Sequence, residues 1–342
     1  MRSSTNEQPA DSGNGRALMR AIVLDRFGGV DELTPRDLPR PAVGDQDVLI
    51  EVAVAGVGSW DAVERQGHYD GVFGVASTFP YVLGWDAAGT VAAVGRGVTR
   101  FAVGDRVYAA TTPLPRGGAY AEYVVVAAEH VAPLPERVPF EQAGAMAWDA
   151  LTALSGVDRL ELNPGDSVMV FGASGGIGHM AVQLARHRGL RVLAVASGAD
   201  GVDLVRSRGA EAAVDGRADD VLAAAKEFAP DGLDGAIVTV GGETAERALR
   251  AVKTSGRIAW PNGVLPMPAQ APPVALTTYD GDRSRTALER LNEVIESSDF
   301  SVHIAQSFAL DDVRSAHLAL GEHYVGKLAL TVAPRDSDAR PA

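Results

Sequence analysis

The spacing of hydrophobic residues divides the chain into two regions that predict different elements. Between residues 19 and 145, short apolar runs are separated by glycines, and Val48, Ile50, Val52 and Val54 alternate with smaller or polar residues. Alternation with a period of two is typical of a half-buried strand, and frequent turns are typical of a barrel or a sandwich. The first region is therefore predicted to be rich in β-structure, with few amphipathic helices.

From about residue 141 the pattern alternates between short apolar runs and segments of helical periodicity. The apolar runs predict strands at 168–171, 191–196, 212–214, 235–240 and 257–260. The segments between them predict helices that end at Gly189 and Gly209, the second one capped by Asp200, and further helices at 219–228 and 243–254. Such an alternation predicts a parallel, doubly wound sheet, whose ligands bind beyond the carboxyl ends of the strands.

The remaining segments carry weaker patterns. Five prolines between residues 261 and 273 exclude a central strand there. A helix is predicted at about 285–296, and a strand at 327–332. Residues 1–18 and 334–342 lack apolar runs, and we expect them to be disordered tails.

The composition limits the classes of protein to which the chain can belong. It has 342 residues, of which 46% are hydrophobic and 22% charged, as in a soluble globular protein of two domains. Its net charge of −13 argues against nucleic acid or an anionic membrane as the main partner. The absence of cysteine excludes disulfides, thiolate zinc sites, iron–sulfur clusters and a cysteine nucleophile. No run reaches the ~20 apolar residues of a membrane span, and no secretory signal is recognisable, so we expect a cytoplasmic protein.

The stretch from Ser167 to Gly189 carries the clearest functional signal. An apolar run is followed by Gly172, Gly175 and Gly178, and then by apolar residues at helical spacing. A strand that turns through glycines into a helix leaves bare backbone N–H groups at the helix start, and these groups bind pyrophosphate. The predicted contacts are Gly172, Ser174, Gly175, Gly176, Ile177 and Gly178.

The fingerprint of such turns is G-x-G-x-x-G. Ala173 holds its first glycine position, whereas Gly175 and Gly178 hold the other two. The sequence therefore predicts a dinucleotide site, and the alternative is a tight turn without a ligand.

Five motifs resemble those of the medium-chain dehydrogenase/reductase superfamily. They read Gly84-Trp-Asp-Ala-Ala-Gly-Thr-Val-Ala-Ala-Val-Gly, Gly104-Asp-Arg-Val, Gly117-Gly-Ala-Tyr-Ala-Glu-Tyr, Leu151-Thr-Ala and Gly326-Lys-Leu-Ala-Leu. The match covers residues 19–333 and is closest to the zinc-independent quinone oxidoreductases and enoyl reductases. The resemblance implies an α/β fold, with a GroES-like β-rich domain plus a Rossmann doubly wound parallel sheet. It implies a GroES-like substrate domain at 19–145, a Rossmann domain at 146–278 and a return to the first domain at 279–333, with the substrate in the cleft between them.

The resemblance bears on the question of a metal. Zinc-dependent relatives bind their catalytic zinc through cysteine and a Gly-His-Glu motif, whereas this chain has Gly84-Trp85-Asp86 and no cysteine. We therefore expect no metal site. Without a Lewis acid, hydride transfer needs an acceptor that is already electrophilic, such as a quinone, an α,β-unsaturated ketone or an enoyl thioester.

The substrate side departs from the resembled pattern. Relatives often carry Asn-Pro-x-Asp-x-Tyr-x-Arg-x-Gly, in which the tyrosine supplies a proton or orients the substrate. Asp61, Arg65 and Gly67 match this motif, but Val63 stands at the tyrosine position. Asp61 and the nearby Tyr69 are the candidate catalytic residues, against simpler roles in capping and packing. Asp86 is a further candidate acid with the same alternative.

Other residues are candidates for binding the coenzyme. Ser197 follows the second parallel strand, where NAD-binding proteins place a carboxylate, and Arg217 can supply a positive charge for a 2′-phosphate. These residues favour NADPH, with NADH as the alternative. The resemblance also places Thr152, Gly241 and Trp260 near the cofactor.

The predicted function is that of a zinc-independent, NADPH-dependent reductase of quinones or conjugated carbonyl compounds. Two alternatives stay open, an NADPH-binding sensor or structural protein without turnover and a non-redox tailoring enzyme of specialised metabolism. The partners expected are a small-molecule substrate and a second copy of the chain in a homodimer, paired through the sheet edge near 274–276.

Overall fold

A computed structural model describes residues 17–72, 74–112, 118–269 and 273–332. Apart from residues 17 and 18, the two predicted tails lie outside these ranges, as do Gly117 of the third motif and one of the five prolines, Pro272. The predicted N-terminal tail extends one residue too far, because Leu18 begins the first strand and pairs with Pro39.

The N-terminal part is mostly β-structure, as the sequence predicts. Its elements are β1 (Leu18–Leu24), β2 (Thr34–Pro39), β3 (Asp47–Val57), α1 (Ser59–Arg65), β4 (Tyr81–Val82), β5 (Asp86–Val94), β6 (Arg106–Ala110), β7 (Tyr123–Ala127) and β8 (Val131–Pro133). The helix α1 was not predicted. It contains Asp61, Val63 and Arg65 of the altered substrate motif.

The C-terminal part alternates helices and strands. Its elements are α2 (Phe140–Ala143), α3 (Ala147–Leu160), β9 (Ser167–Phe171), α4 (Gly176–His187), β10 (Arg191–Ala196), α5 (Gly198–Ser207), β11 (Ala212–Asp215), α6 (Val221–Phe228), β12 (Leu233–Val238), α7 (Glu243–Ala248), β13 (Val252–Pro261), β14 (Ala275–Tyr279), α8 (Arg285–Ser297), β15 (Ile304–Ala309), α9 (Val313–Ala319) and β16 (Lys327–Thr331). None of the helices in the described part of the chain is long and apolar enough to cross a membrane.

Six described strands form a parallel sheet in the order β11-β10-β9-β12-β13-β14. The chain starts in the middle with β9, adds β10 and β11 on one side, and then adds β12 to β14 on the other. The order therefore reverses between β9 and β12, and a crevice for ligands forms at the carboxyl ends of strands where such a reversal occurs.

Three local predictions for this part are wrong. The helix α5 begins after Ser197, not at Asp200, because Asp200 lies in its first turn and accepts a hydrogen bond from the Gly201 N–H. The helix α7 ends at Ala248 and passes through a short 3-10 turn into β13, which begins well before residue 257. The strand β12 stops at Val238, its last residue paired with β9; the Thr239 N–H makes the final ladder bond to the Phe171 carbonyl, and the Thr239 hydroxyl donates to the same oxygen.

A second sheet contains seven described strands. Its central strand is β3, which pairs with β16, β5 and β7. Its order is β15-β16-β3-β5-β6-β8, and β7 also pairs with β3. The strand β3 was expected to be half-buried, but in it only Glu51 and Ala53 are partly exposed. The difference arises because both faces of β3 are covered, on one side by the core of the sheet and on the other by Ala145 and Phe140, which pack on Val54.

The two sheets meet at the beginning of β16. This strand pairs antiparallel with β3, and just before it the Gly326 N–H donates to the carbonyl of Ser174, 2.7 Å away, in the turn after β9. The ammonium of Lys327 lies 2.8 Å from the Asp149 carboxylate of α3 and 3.9 Å from the Asp86 carboxylate of β5. All three side chains are buried, so this ion cluster joins β5 and β16 of the second sheet to α3 in the interior, beside Gly176 at the start of α4.

The charges of this cluster depend on one another. Burial alone would lower the pKa of Lys327, but Asp149 and Asp86 raise it above its usual value. Burial raises the pKa of Asp86 to about 6, although Lys327 opposes the shift. In this cluster one cation, Lys327, therefore faces two buried carboxyl groups, Asp86 and Asp149.

Replacing Lys327 by methionine tests the importance of this cluster. Lys327→Met leaves two buried carboxyl groups without their cation, and we expect the free energy of unfolding at pH 8 to fall by about 3–5 kcal/mol. The deficit shrinks as the pH is lowered, because the folded variant then takes up a proton on Asp86, whose pKa burial raises. Urea denaturation at several pH values measures both effects.

A matched control is Lys253→Met. Lys253 pairs with Asp234 at 2.8 Å, but the two side chains are 33% and 26% exposed, so its loss is expected to cost about 0–1 kcal/mol. Equal deficits for the two variants at every pH would contradict a special role for Lys327.

Candidate functional site

The turn between β9 and α4 has the form that the glycine pattern predicts. Gly172 has a φ of +80°, which favours glycine, and Gly175 is the residue before the first turn of α4. A Cβ at Gly178 would lie 2.1 Å from the Gly172 carbonyl oxygen, so glycine is needed there for α4 to pack against the end of β9.

The beginning of α4 presents free donors. No described side chain caps this helix, and its first turn contains no acidic residue. The N–H groups of the first turn have no partner within a helix, and they attract an anion. A Cβ at Gly175 would have a single neighbour within 4 Å, the Gly172 carbonyl oxygen at 3.5 Å, so the outer side of the turn is open. The structure therefore leaves the turn open at Gly175, beside the first N–H groups of α4.

The inner side of the turn is held by neighbouring elements. Gly176 lies against the carboxylate of Asp149 and the side chain of Lys327, where a Cβ would come within 2.1 Å of the carboxylate. The Ser174 hydroxyl accepts a hydrogen bond from the Ser197 N–H at 3.1 Å. These contacts fix the turn before any ligand arrives.

His179 holds the turn from within α4. It is completely buried, and burial lowers its pKa to about 4, so its imidazole is neutral. The His303 N–H donates to Nε2 at 3.2 Å, which leaves Nδ1 to donate to the Gly175 carbonyl at 2.8 Å. This histidine connects the turn to the segment before β15.

The predicted ribose contacts Ser197 and Arg217 lie near two carboxylates, Asp200 and Asp215. Asp215, at the end of β11, accepts hydrogen bonds from the Gly198 N–H and the Arg217 N–H, both at 3.0 Å. Asp200 lies 3.0 Å from the imidazole of His323. The backbone of Arg217 is thus fixed, and its side chain is exposed beside Asp215.

The other candidates for coenzyme contact lie in different surroundings. Thr152 is buried in α3, and its hydroxyl faces Gly281. Gly241 follows the end of β12 and packs closely on the backbone of Pro266. The indole of Trp260 is completely buried, and its Nε1–H donates to the Val264 carbonyl at 2.9 Å. The Trp260 side chain therefore does not line the cleft, contrary to the expectation.

The helix α1 faces the carboxyl end of the parallel sheet. The indole of Trp60 rests on Gly263 after β13, where a Cβ would lie 2.3 Å from the ring. Asp61 is buried, and one of its oxygens accepts the Gly58 N–H at 2.8 Å at the start of the helix. Burial raises the pKa of Asp61 well above its usual value. Its contact with Gly58 is the capping role that the sequence left open.

Tyr69 belongs to a row of three aromatic residues. Its ring lies edge-on to Trp85 with centroids 5.9 Å apart, and Trp85 lies edge-on to Trp148 at 5.2 Å. All three side chains are partly exposed. Burial raises the pKa of Tyr69 to about 12, with smaller effects from Glu64 and Asp61, so its hydroxyl is a neutral donor at pH 7.

Sequence reasoning did not select three of the residues at the site. Glu64 is buried in α1 beside Trp85, and Asp149 and Lys327 form the ion cluster behind the glycine turn. Asp149 and Lys327 each stand alone in an otherwise apolar run, and this pattern could have marked them as buried charges. Among residues 17–72, 74–112, 118–269 and 273–332, no group of three or more histidine, aspartate or glutamate side chains could hold a metal ion.

Two families match most of this architecture. Residues 44–136 match the alcohol dehydrogenase GroES-like domain, and residues 176–279 match the domain described as zinc-binding dehydrogenase. The first match covers β3 and β5 to β8 of the second, seven-stranded sheet, and the second match begins at the first residue of α4.

Similar proteins belong to one superfamily. The NADPH-dependent alkenal/one oxidoreductase, chloroplastic, of Arabidopsis thaliana is 32% identical over 286 residues, covering 82% of this chain and 70% of its own. A quinone oxidoreductase of Pseudomonas aeruginosa is 30% identical over 321 residues, covering 89% and 96%. The crystal structure of an NAD-dependent alcohol dehydrogenase superimposes with a TM-score of 0.83 at 28% identity, covering 92% and 100%. The chain therefore belongs to the medium-chain dehydrogenase/reductase superfamily, in its quinone oxidoreductase-like branch.

Proposed function

We propose that this protein is an NADPH-dependent reductase that transfers hydride to a quinone or an α,β-unsaturated carbonyl compound. The observation that carries the proposal is the uncapped glycine turn at the carboxyl end of β9, where the order of the parallel sheet reverses. The relatives named as quinone and alkenal/one oxidoreductases support the class of acceptor. Residues 146–278 would hold the coenzyme, and residues 19–145 with 279–333 would supply the substrate side.

The residues present fit a dinucleotide. The turn offers backbone donors at the start of α4, and a Cβ at Gly175 would have no side chain within 4 Å. When bound, the coenzyme supplies a hydride from its nicotinamide ring. The chain itself binds the diphosphate at Gly175–Gly178, and Tyr69 can donate a hydrogen bond to the oxygen on which negative charge develops.

The preference for NADPH rests on few residues. Ser197 carries no charge to repel a 2′-phosphate, and the exposed guanidinium of Arg217 can pair with one. Against this stand the carboxylates of Asp200 and Asp215 beside Gly198. One relative is named for NADPH and one similar structure for NAD, which leaves the choice to measurement.

The first test combines turnover with a variant of the turn. We expect the protein to oxidise NADPH in the presence of quinones, enones or enoyl thioesters, followed by absorbance. In Gly175→Ala the added methyl group meets only ordinary contacts in the free protein, so the melting temperature is unchanged. The same methyl group would touch the phosphates, and we expect the Kd for NADPH to rise about tenfold.

A matched control is Gly29→Ala, since Gly29 has a similar extended backbone and nothing within 4 Å of its Cβ. An unchanged Kd in Gly175→Ala would show that phosphate does not dock on the turn. Failure of every acceptor to oxidise NADPH would count against the reductase.

The second test measures coenzyme selectivity by calorimetric titration. We expect the wild-type protein to bind NADPH about tenfold more tightly than NADH, because a charged hydrogen bond to phosphate contributes about 1.5–3 kcal/mol. Arg217→Ala removes this preference, whereas Arg206→Ala, at an exposed arginine of α5, leaves it in place. Tighter binding of NADH by the wild-type protein would refute the assignment.

We also propose a homodimer. The edge strand β14 exposes Ala275, Thr277 and Thr278, and its outer backbone groups can pair with a second copy. Light scattering is expected to give twice the mass of the chain, and the mass of a monomer at micromolar concentration would contradict the proposal. The cytoplasmic location stays a prediction.

A further inference from the structure

Glu64 is a buried carboxyl group with two uncharged donors. Its side chain lies in α1 and is almost completely inaccessible, with the residue only 2% exposed. The Tyr81 hydroxyl donates to Oε1, and the Trp85 Nε1–H donates to Oε2 at 2.6 Å. Burial raises the pKa of Glu64 to about 7, although both hydrogen bonds oppose the shift.

The surroundings of Glu64 do not neutralise it. The neighbouring guanidinium of Arg65 points away, donating to the Gly28 carbonyl and contacting His317. The ionisable groups whose charges interact with Glu64 are Asp61 on the same helix, Tyr69 after it, Tyr81 of β4 and Tyr120 before β7. None of these groups is a cation. A buried carboxyl group in such a setting is costly, and groups of this kind concentrate at functional sites.

The polar partner of Glu64 is the middle ring of the aromatic row. Trp85 has one polar atom, Nε1, and its hydrogen bond to Glu64 fixes the rotation of the indole. On either side of this ring stand Tyr69 and Trp148, with interplanar angles of 66° and 74°. Trp148 is fixed independently, since its Nε1–H donates to the Thr111 carbonyl at 2.7 Å. The orientation of Trp85 therefore depends on Glu64, and the shape of the row depends on Trp85.

We propose that Glu64 is a positioning residue that sets the acceptor specificity, because it holds the Trp85 indole as the middle of a continuous aromatic wall for planar acceptors. The proposal rests on the proposed reductase function. Glu64 does not touch the acceptor in this account, and it acts only through Trp85. Planar aromatic quinones gain a contact with the Trp85 ring, whereas short aliphatic enones do not.

The protonation of Glu64 changes the strength of this hold. The carboxylate accepts from both donors, and a hydrogen bond to a charged acceptor is about twice as strong as a neutral one. A protonated Glu64 can donate to the Tyr81 oxygen, but Trp85 can only donate, so its bond becomes a weaker one to a neutral carbonyl. Glu64→Gln keeps this neutral arrangement at every pH, because the amide can donate to Tyr81 and accept from Trp85.

The first measurement does not depend on activity. In ¹⁵N-labelled protein the indole N–H resonance of Trp85 is identified by its loss in Trp85→Phe. We expect this resonance to titrate between about pH 5.5 and about pH 8.5 in the wild-type protein and to stay fixed in Glu64→Gln. The resonance of Trp260, which donates to Val264, is the internal control and should not move.

The second measurement separates the acceptor from the coenzyme. In Glu64→Ala we expect the KM for a planar quinone to rise about fivefold, the contribution of one aromatic contact, while the Kd for NADPH stays unchanged. Glu64→Gln should restore most of the quinone KM, and the KM for a short aliphatic enone should change little in either variant. Tyr81→Phe removes one of the two hydrogen bonds but leaves the one to Trp85, so it is a control whose quinone KM should stay close to that of the wild-type protein. If Glu64→Ala does not fold, Trp85→Phe removes the hydrogen bond from the other side, and we expect it to raise the KM for the planar quinone and not that for the aliphatic enone.

Two results would overturn the proposal. One is a Trp85 resonance that does not move with pH in the wild-type protein. The other is a loss of affinity in Glu64→Ala that is equal for planar and aliphatic acceptors, which would mean that Glu64 only stabilises the fold. A protein that reduces no acceptor but whose Trp85 resonance titrates as described would refute the reductase and support the role of Glu64 in positioning the ring.

Discussion

The structure depends on the contact between the glycine turn and the start of β16. The Gly326 N–H binds the Ser174 carbonyl, and Lys327 lies between the Asp149 carboxylate of α3 and the Asp86 carboxylate of β5. The contact links the turn that faces the crevice to the strand that pairs with β3. It fixes the position of the phosphate cradle relative to the aromatic row. A site made from two sheets needs such a joint, because each sheet alone carries only half of it.

The charge distribution explains why the cradle is built from backbone. The chain carries a net charge of −13, so its overall field repels a phosphorylated ligand. The N–H groups at the start of α4 act at short range and need no side chain. Lys327, whose side chain lies against Gly176 of the turn, is already paired with Asp149 and Asp86. The role of Lys327 is to fix the glycine turn in place, and the backbone of the turn would bind the ligand.

The sequence predicted the features that depend on local pattern. The glycine spacing predicted the strand–turn–helix unit, and the alternation of strands and helices predicted the parallel sheet. Helix starts were less reliable, since Ser197 and not Asp200 precedes α5. At this point the Ser197 N–H donates to the Ser174 hydroxyl in the turn after β9, a contact that no local pattern reveals.

Features that depend on packing between distant segments could not be predicted in the same way. Lys327 and Asp149 are 178 positions apart, and Glu64 meets Trp85 across a cis-proline-containing loop. Trp260 was expected in the cleft, but its strand turns the indole into the core. Period and spacing assign a residue to an element, whereas its neighbours across the interior decide what its side chain does.

The most direct test of the central claim is a crystal structure of the protein grown with saturating NADP⁺. The account predicts that the diphosphate oxygens lie within hydrogen-bonding distance of the N–H groups of residues 175–178, with the nicotinamide ring extending towards Thr152 and Tyr69. A diphosphate bound elsewhere, with the turn at 172–178 unoccupied, would contradict it.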